Sequence, residues 1–317
     1  KNTGAPVQFL NLQPLLERDD RSSLEEMPSH FQQTVQHQGN LWGLPFQAHV
    51  YVIYYNRDLF DAAGETYTQP GWTLDEFLRA AQRLTRGSGN ARQWGYTSLN
   101  APSQDLLAFL ALQGVHLWNA NGQPRFDAPE VMRAVAWYTD LALEHDVMPS
   151  FAGDFAGQTA ATAEAQRALV SQGHAAMWSN YTDQNPGSTP FAVGMAPLPV
   201  NQLGRGIGVY RYEALFIASQ TRHAEACWEW IRYLSMLPEV VQSVPARTGM
   251  LDSPVLQTQL GEEAVAAYRA TLAYEPLLPL SLSESAQMYW LYQAVDEVLV
   301  GASLEGALGN AQRQAQQ

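Results

Sequence analysis

Two neutral hydrogen-bonding side chains, Gln47 and His49, stand two residues apart at the start of an apolar, aromatic stretch, residues 46–55. The stretch holds no Gly or Pro and is rich in aromatic and β-branched types, the composition of a buried strand. Alternation along a strand puts Gln47, His49, Tyr51, Ile53 and Tyr55 on one face, and Phe46, Ala48, Val50, Val52 and Tyr54 on the other. An amide and an imidazole beside aromatic rings are what a polar, half-open cleft needs. The alternative is that neighbouring backbone groups satisfy both side chains, as happens for most buried polar groups.

Other chemistries lack their residues. Lys1 is the only lysine, and the other seventeen basic residues are arginine. A phosphate-binding loop of the G-x-x-x-x-G-K-[ST] type, a Schiff-base lysine and a kinase strand lysine therefore have no internal amine to use. A glycoside hydrolase needs two carboxyl groups facing each other across ~5 to 9.5 Å. The doublets Asp19-Asp20, Glu25-Glu26 and Glu262-Glu263 do not offer this, because adjacent helical residues point about 100° apart. A G-x-S-x-G elbow and an H-E-x-x-H zinc pattern are both absent, and His30 and His37 are spaced as two turns of a helix. Gly204, Gly206 and Gly208 precede a strand pattern, which excludes a dinucleotide fingerprint, and residues 119–122 have turn chemistry. Cys227 is the sole cysteine; it shares a helical face with Ile231 and Leu234, reads as a small core residue, and rules out an internal disulfide or a Cys-rich metal site. Neither a metal nor a cofactor is expected.

The elements that position these residues follow from patterning. A chain of 317 residues, 46% hydrophobic and 15% charged, is globular and long enough for two domains. A net charge of −13 repels nucleic acid and anionic membrane, and no apolar run reaches the ~18 residues of a membrane span. Residues 1–10 do not form a signal peptide, so any export signal or lipid anchor is expected upstream or not at all. Thr73 and Glu76 form a capping box for a helix reaching about Arg86, with Leu74, Phe77, Leu78 and Ala81 on one face. Further helices are expected over 103–112, 129–145, 163–172, 223–237 and 287–300, with a last one capped by Ser303. Strands are expected over 174–179, 191–199 and 207–218. The alternation makes an α/β fold.

Several pieces in one order carry a resemblance: GLPF, YYNRDLF with Gly64, WTLDEF, FLALQGVHLWNANGQPRFDAPEVMRAVAWYTDL, ALVSQGHAAMW, FAVGMAPLP, LFIASQTRHAEACWEWIRYLSMLPE and PARTGMLDSP. From Leu10 to Ala311 the chain resembles the solute-binding proteins of ABC importers, in the maltose-binding-like group that mostly serves carbohydrates. The resemblance implies a two-lobe, type II periplasmic-binding-protein fold with discontinuous lobes joined by crossovers. Lobe 1 would comprise residues 1–57 and 206–257, and lobe 2 residues 58–205 and 258–317. It also implies that about the first hundred residues of lobe 1 precede this chain or come from another polypeptide. The function implied is extracytoplasmic capture, in the periplasm or by a cell-surface lipoprotein. A small carbohydrate would be held in a cleft by hinge closure and handed to ABC permease subunits, without catalysis.

The same resemblance implies the site residues. Gln47 and His49 match the end of the crossover strand facing the cleft. Ser103, Gln104 and Asp105 match a helix start in lobe 2 that contributes ligand contacts, the alternatives being an N-cap for Ser103 and a first-turn acid for Asp105. Trp178, Asn180 and Tyr181 match the element after the AM pair, although the family's glycine does not follow Met177 here. Tyr210, Arg211 and Tyr212 lie on the return strand, and Arg247 lies near the third crossover. Tyr289 and Trp290 match an aromatic pair on a cleft-lining helix, with core packing as the alternative. Aromatic faces pack against the C–H groups of sugars, while Asp, Asn, Gln and Arg bond the hydroxyls. A carbohydrate-acting hydrolase and a ligand-sensing domain coupled to a receptor are the competing classes.

Overall fold

The computed structural model describes residues 8–19, 22–99, 102–184 and 189–316. Lys1 and the Asp20 half of one acidic doublet lie outside these residues. In chain order the elements used below are α1 (Ser29–Gln33), β1 (Leu44–Asn56), α2 (Leu74–Leu84), β2 (Trp94–Ser98), α3 (Pro102–Leu112), α4 (Pro129–Leu143), β3 (Ala175–Tyr181), β4 (Val193–Pro197) and β5 (Ile207–Leu215). There follow α5 (Ala224–Leu234), β6 (Val244–Pro245), β7 (Glu275–Leu277), α6 (Leu282–Leu299) and α7 (Leu304–Ala315).

The chain divides into two compact units, Lys1–Val50 with Tyr210–Tyr268, and Tyr51–Val209 with Arg269–Gln317. In the first unit, the opening half of β1 pairs antiparallel with β5, and Gln47 and Ala48 also pair with β6. In the second, the closing half of β1 pairs antiparallel with β3 and β4, β2 lies parallel to β3, and β7 pairs with Ile207, Gly208 and Val209 of β5. The strand expected over 46–55 is thus one 13-residue element that belongs to both units.

The core of the second unit grows from one face of β1. Tyr51, Ile53 and Tyr55 are fully buried there with Phe60, Phe77, Tyr96, Phe109 and Tyr138. Phe77 meets Tyr96 edge-on at 4.9 Å, geometry that favours aromatic pairs, and packs tilted against Phe109 at 5.3 Å. The capping box at Thr73 and Glu76 forms as expected, each side chain bonding the other's backbone N–H. Gly95 lets β2 lie against α2, since a Cβ there would sit 1.9 Å from the Ala81 carbonyl oxygen. Gly95→Ala is therefore expected to cost about 3 kcal/mol of unfolding free energy, read from a urea transition with unchanged slope.

Some expectations are corrected. α6 starts at Leu282, ahead of the expected 287, because Ser281 and Glu284 make a second capping box. His30 and His37 do not share a helix: α1 ends at Gln33, and Gln36–His37 is a short strand. Cys227 is half-buried rather than core, 3.7 Å from the Thr221 hydroxyl.

Candidate functional site

In the first unit, the β1–β5 register sets Gln47 opposite Glu213, Ala48 opposite Tyr212, His49 opposite Arg211 and Val50 opposite Tyr210. Side chains of paired residues share a face, so Gln47, His49, Arg211 and Glu213 form one polar face. Gln47 Nε2 donates to Glu213 Oε2 at 2.7 Å, and His49 Nε2 lies 2.9 Å from Glu213 Oε1. The backbone N–H of Gln242 donates to Gln47 Oε1 at 2.8 Å, which fixes the amide's orientation. Gln47 and His49 are almost fully buried, whereas the Glu213 side chain is 45% exposed. Partial burial pushes the Glu213 carboxyl up, but hydrogen bonds from Gln47 and His49, with the electrostatic pull of the His49 ring and the Arg211 guanidinium, outweigh it and hold the group below its usual range. The result is an oriented carboxylate with free lone pairs at the surface, able to accept hydrogen bonds from hydroxyl groups.

Glu213 was not among the expected residues. The signal was the alternation itself, since Glu213 lies two residues beyond Arg211 on the same strand face. The same alternation turns Tyr210 and Tyr212 to the opposite face, against α1. His30 lies 5.1 Å from the Tyr210 ring, Phe31 meets Tyr212 edge-on at 5.2 Å, and the two tyrosines stack at 5.5 Å. Burial pushes the Tyr210 hydroxyl far above its usual range. Arg247 is buried and bonded to Glu26 Oε2 at 2.8 Å and to the Ser235 hydroxyl at 3.3 Å, so its guanidinium braces this unit internally.

In the second unit, Asp105 sits in the first turn of α3 with no exposed surface. Four hydroxyls converge on its carboxyl group. Tyr96 and Ser179 donate to Oδ1 at 2.6 Å each, Tyr51 donates to it at 3.3 Å, and Tyr138 donates to Oδ2 at 2.8 Å. Burial raises the Asp105 carboxyl to about 6, with the hydroxyl bonds pulling the other way. These donors come from β1, β2, β3 and α4, so Asp105 ties the start of α3 to the sheet and to its neighbouring helix. Ser103 and Gln104, half-buried, are the neighbours it holds in place.

The remaining expected residues separate by environment. Trp178 is fully buried, stacked on Tyr54 at 5.8 Å with Phe191 against its edge at 6.3 Å, and offers no open ring face. Asn180 is also fully buried and shapes the turn after β3, donating to the Gln184 carbonyl at 2.6 Å. Tyr181 is half-buried, its ring edge-on to Tyr51 at 5.0 Å. Tyr289 is 44% exposed and accepts a hydrogen bond from Gln293 Nε2 at 2.9 Å, with Trp290 half-buried beside it at 5.3 Å. Among the described residues, no group of three or more His, Cys, Asp and Glu side chains could hold a metal ion, and no helix is long and apolar enough to cross a membrane.

A family model described as bacterial extracellular solute-binding protein matches residues 9–235. The maltotriose-binding protein of Pyrococcus abyssi is 21% identical over 301 residues, covering 91% of this chain and 61% of its own length. The mannitol-binding protein of Pseudomonas aeruginosa is 27% identical over 204 residues, covering 59% of this chain and 43% of its own. The chain thus spans less than two thirds of either curated relative. An ABC substrate-binding protein from Listeria monocytogenes, solved in complex with cycloalternan, superposes with a TM-score of 0.73 at 20% identity, over 97% of this chain and 79% of that one. That likeness establishes the fold, a type II solute-binding architecture.

Proposed function

The chain belongs to the bacterial extracellular solute-binding proteins, and from that premise we propose that it captures a sugar or oligosaccharide for an ABC import system. Capture would be by hinge closure, with delivery to membrane permease subunits on the extracytoplasmic side, in the periplasm or from a lipid-anchored position. The two compact units are taken as the lobes, with boundaries at Val50, Val209 and Tyr268 in place of residues 57, 205 and 257.

The observation that carries this reading is the polar face built on Glu213. Its carboxylate is oriented by Gln47 and His49, lies beside Arg211, and is open to solvent. Sugar hydroxyls need acceptors and donors of this kind held in fixed directions. We assign Gln47, His49, Arg211 and Glu213 to the ligand from the first unit. Within the second unit, Ser103, Gln104, Tyr181, Tyr289 and Trp290 are the candidates for ligand contact. Asp105, Trp178, Asn180, Tyr210, Tyr212 and Arg247 act behind these groups, since their polar atoms or rings are engaged inside the protein.

Binding without turnover is part of the proposal. The partners of Glu213 are an amide and an imidazole and those of Asp105 are hydroxyls, arrangements that orient a hydrogen-bond acceptor or brace the fold. A ligand at ~1 μM affinity supplies about 8 kcal/mol, more than the few kcal/mol that separate two conformations of such a protein.

The test is a thermal-unfolding screen against maltotriose, maltose, mannitol and other neutral sugars and polyols. At least one is expected to raise the melting temperature saturably, by RT ln(1 + [L]/Kd) in free energy. Release of a new reducing end during incubation would favour a hydrolase instead.

A further inference from the structure

We infer that a recess beside α2 binds a small oxyanion, a carboxylate or a phosphate, on the guanidinium groups of Arg79 and Arg83. The recess lies within the second unit, holds about 510 Å³, and is bounded by the segment 65–72 and the outer side of α2. Trp72 and Ala80, both buried, form its apolar backing.

Arg79 and Arg83 are four residues apart on α2, hence neighbours on one helix face. Arg79 makes no hydrogen bond or ion pair among the described residues. Glu76, which also lines the recess and feels the Arg79 charge, makes no direct bond to it, because its Oε2 accepts from the Thr73 backbone N–H at 2.7 Å and from the Thr73 hydroxyl at 3.0 Å. Arg83 gives one N–H to Glu65 at 3.0 Å and remains 69% exposed, which leaves most of its five donors unused.

A third group lies in the wall. Thr68 is 7% exposed, and its buried hydroxyl has no hydrogen-bond partner. An unpaired buried hydroxyl is costly, and a turn about χ1 exchanges its place with the methyl group without breaking any existing bond. Turned toward the recess, the hydroxyl would donate to an anion held by the two guanidiniums. The planar fork of arginine suits both carboxylate and phosphate oxygens. A chain of net charge −13 repels anions at long range, so the site would be short-ranged and weakened by salt.

The experiment is thermal unfolding of the full-length protein with inorganic phosphate or succinate, against sodium chloride of equal ionic strength. The wild type is expected to show a saturable rise in melting temperature with at least one of the two anions. A response to phosphate alone identifies a tetrahedral ligand, and one to succinate alone a carboxylate. Arg79→Gln should raise the half-saturating concentration at least tenfold. Thr68→Val should raise the melting temperature without anion, because it removes the unpaired hydroxyl, yet weaken the anion response severalfold. Circular dichroism confirms that both variants fold. No response to either anion, or equal responses in wild type and Arg79→Gln, would overturn the inference. No sugar enters this test, so its failure leaves the carbohydrate reading untouched.

Discussion

Asp105→Ala is expected to lower the unfolding free energy at pH 5 by about 3 kcal/mol, because it leaves buried hydroxyls of β1, β2, β3 and α4 without their common acceptor. Ser179 can still bond Tyr51 at 2.9 Å and Tyr96 at 2.8 Å, so the loss falls mainly on Tyr138. The pH dependence identifies the mechanism. The folded carboxyl titrates at about 6, above its ordinary 3.8. Between these values the folded chain keeps a proton that the unfolded chain has released. The stability present at low pH is therefore lost as pH rises from about 4 to about 6, by about 3 kcal/mol for a shift of about two units, and is level above that window. Asp105→Asn keeps an acceptor for the hydroxyls on Oδ1 and cannot ionise. It should flatten this window and be more stable than wild type at pH 7. Urea titrations at pH 4, 5, 6 and 7 read both effects, and parallel curves for wild type and Asp105→Asn would show that Asp105 does not titrate there.

The second large effect belongs to Glu213. Glu213→Ala removes the carboxylate proposed to accept ligand hydroxyls and leaves Gln47 Nε2 and His49 Nε2 without it. Ligand affinity should fall about 30- to 100-fold, equivalent to about 2–3 kcal/mol for a charge-assisted hydrogen bond. Glu213→Gln retains an acceptor and should lose less. Because the carboxyl titrates below its usual range, wild-type affinity should not fall between pH 7 and pH 5 through Glu213. Calorimetric titration of the three proteins with the sugar found in the screen measures each statement.

Legibility in the sequence followed the physics of each element. The crossover strand was readable because residues 46–55 combine β-branched and aromatic types without a breaker, and alternation placed Gln47 and His49 together. Family resemblance then grouped Tyr210, Arg211 and Tyr212 by their place in the chain. Only the register shows that Arg211 shares the polar face while the tyrosines pack on α1. Glu213 is open to the same alternation argument, but a lone acid on a strand reads as an ordinary solvated residue until the register sets it against Gln47 and His49. Asp105 could be placed in a first turn from sequence, but the convergence of four hydroxyls from four elements is a tertiary fact with no local signature. The helix cap at Ser281 is local and legible, yet Leu282 after it is exposed and the buried apolar face of the helix begins only at Met288.

The most direct measurement is isothermal titration calorimetry of the wild-type protein with the best sugar of the screen, followed by chromatography of the recovered ligand. The account predicts one site per chain, a dissociation constant in the micromolar range or below, weaker binding by Glu213→Ala, and the sugar returned intact. Equal affinity for wild type and Glu213→Ala, or conversion of the sugar to product, would contradict it.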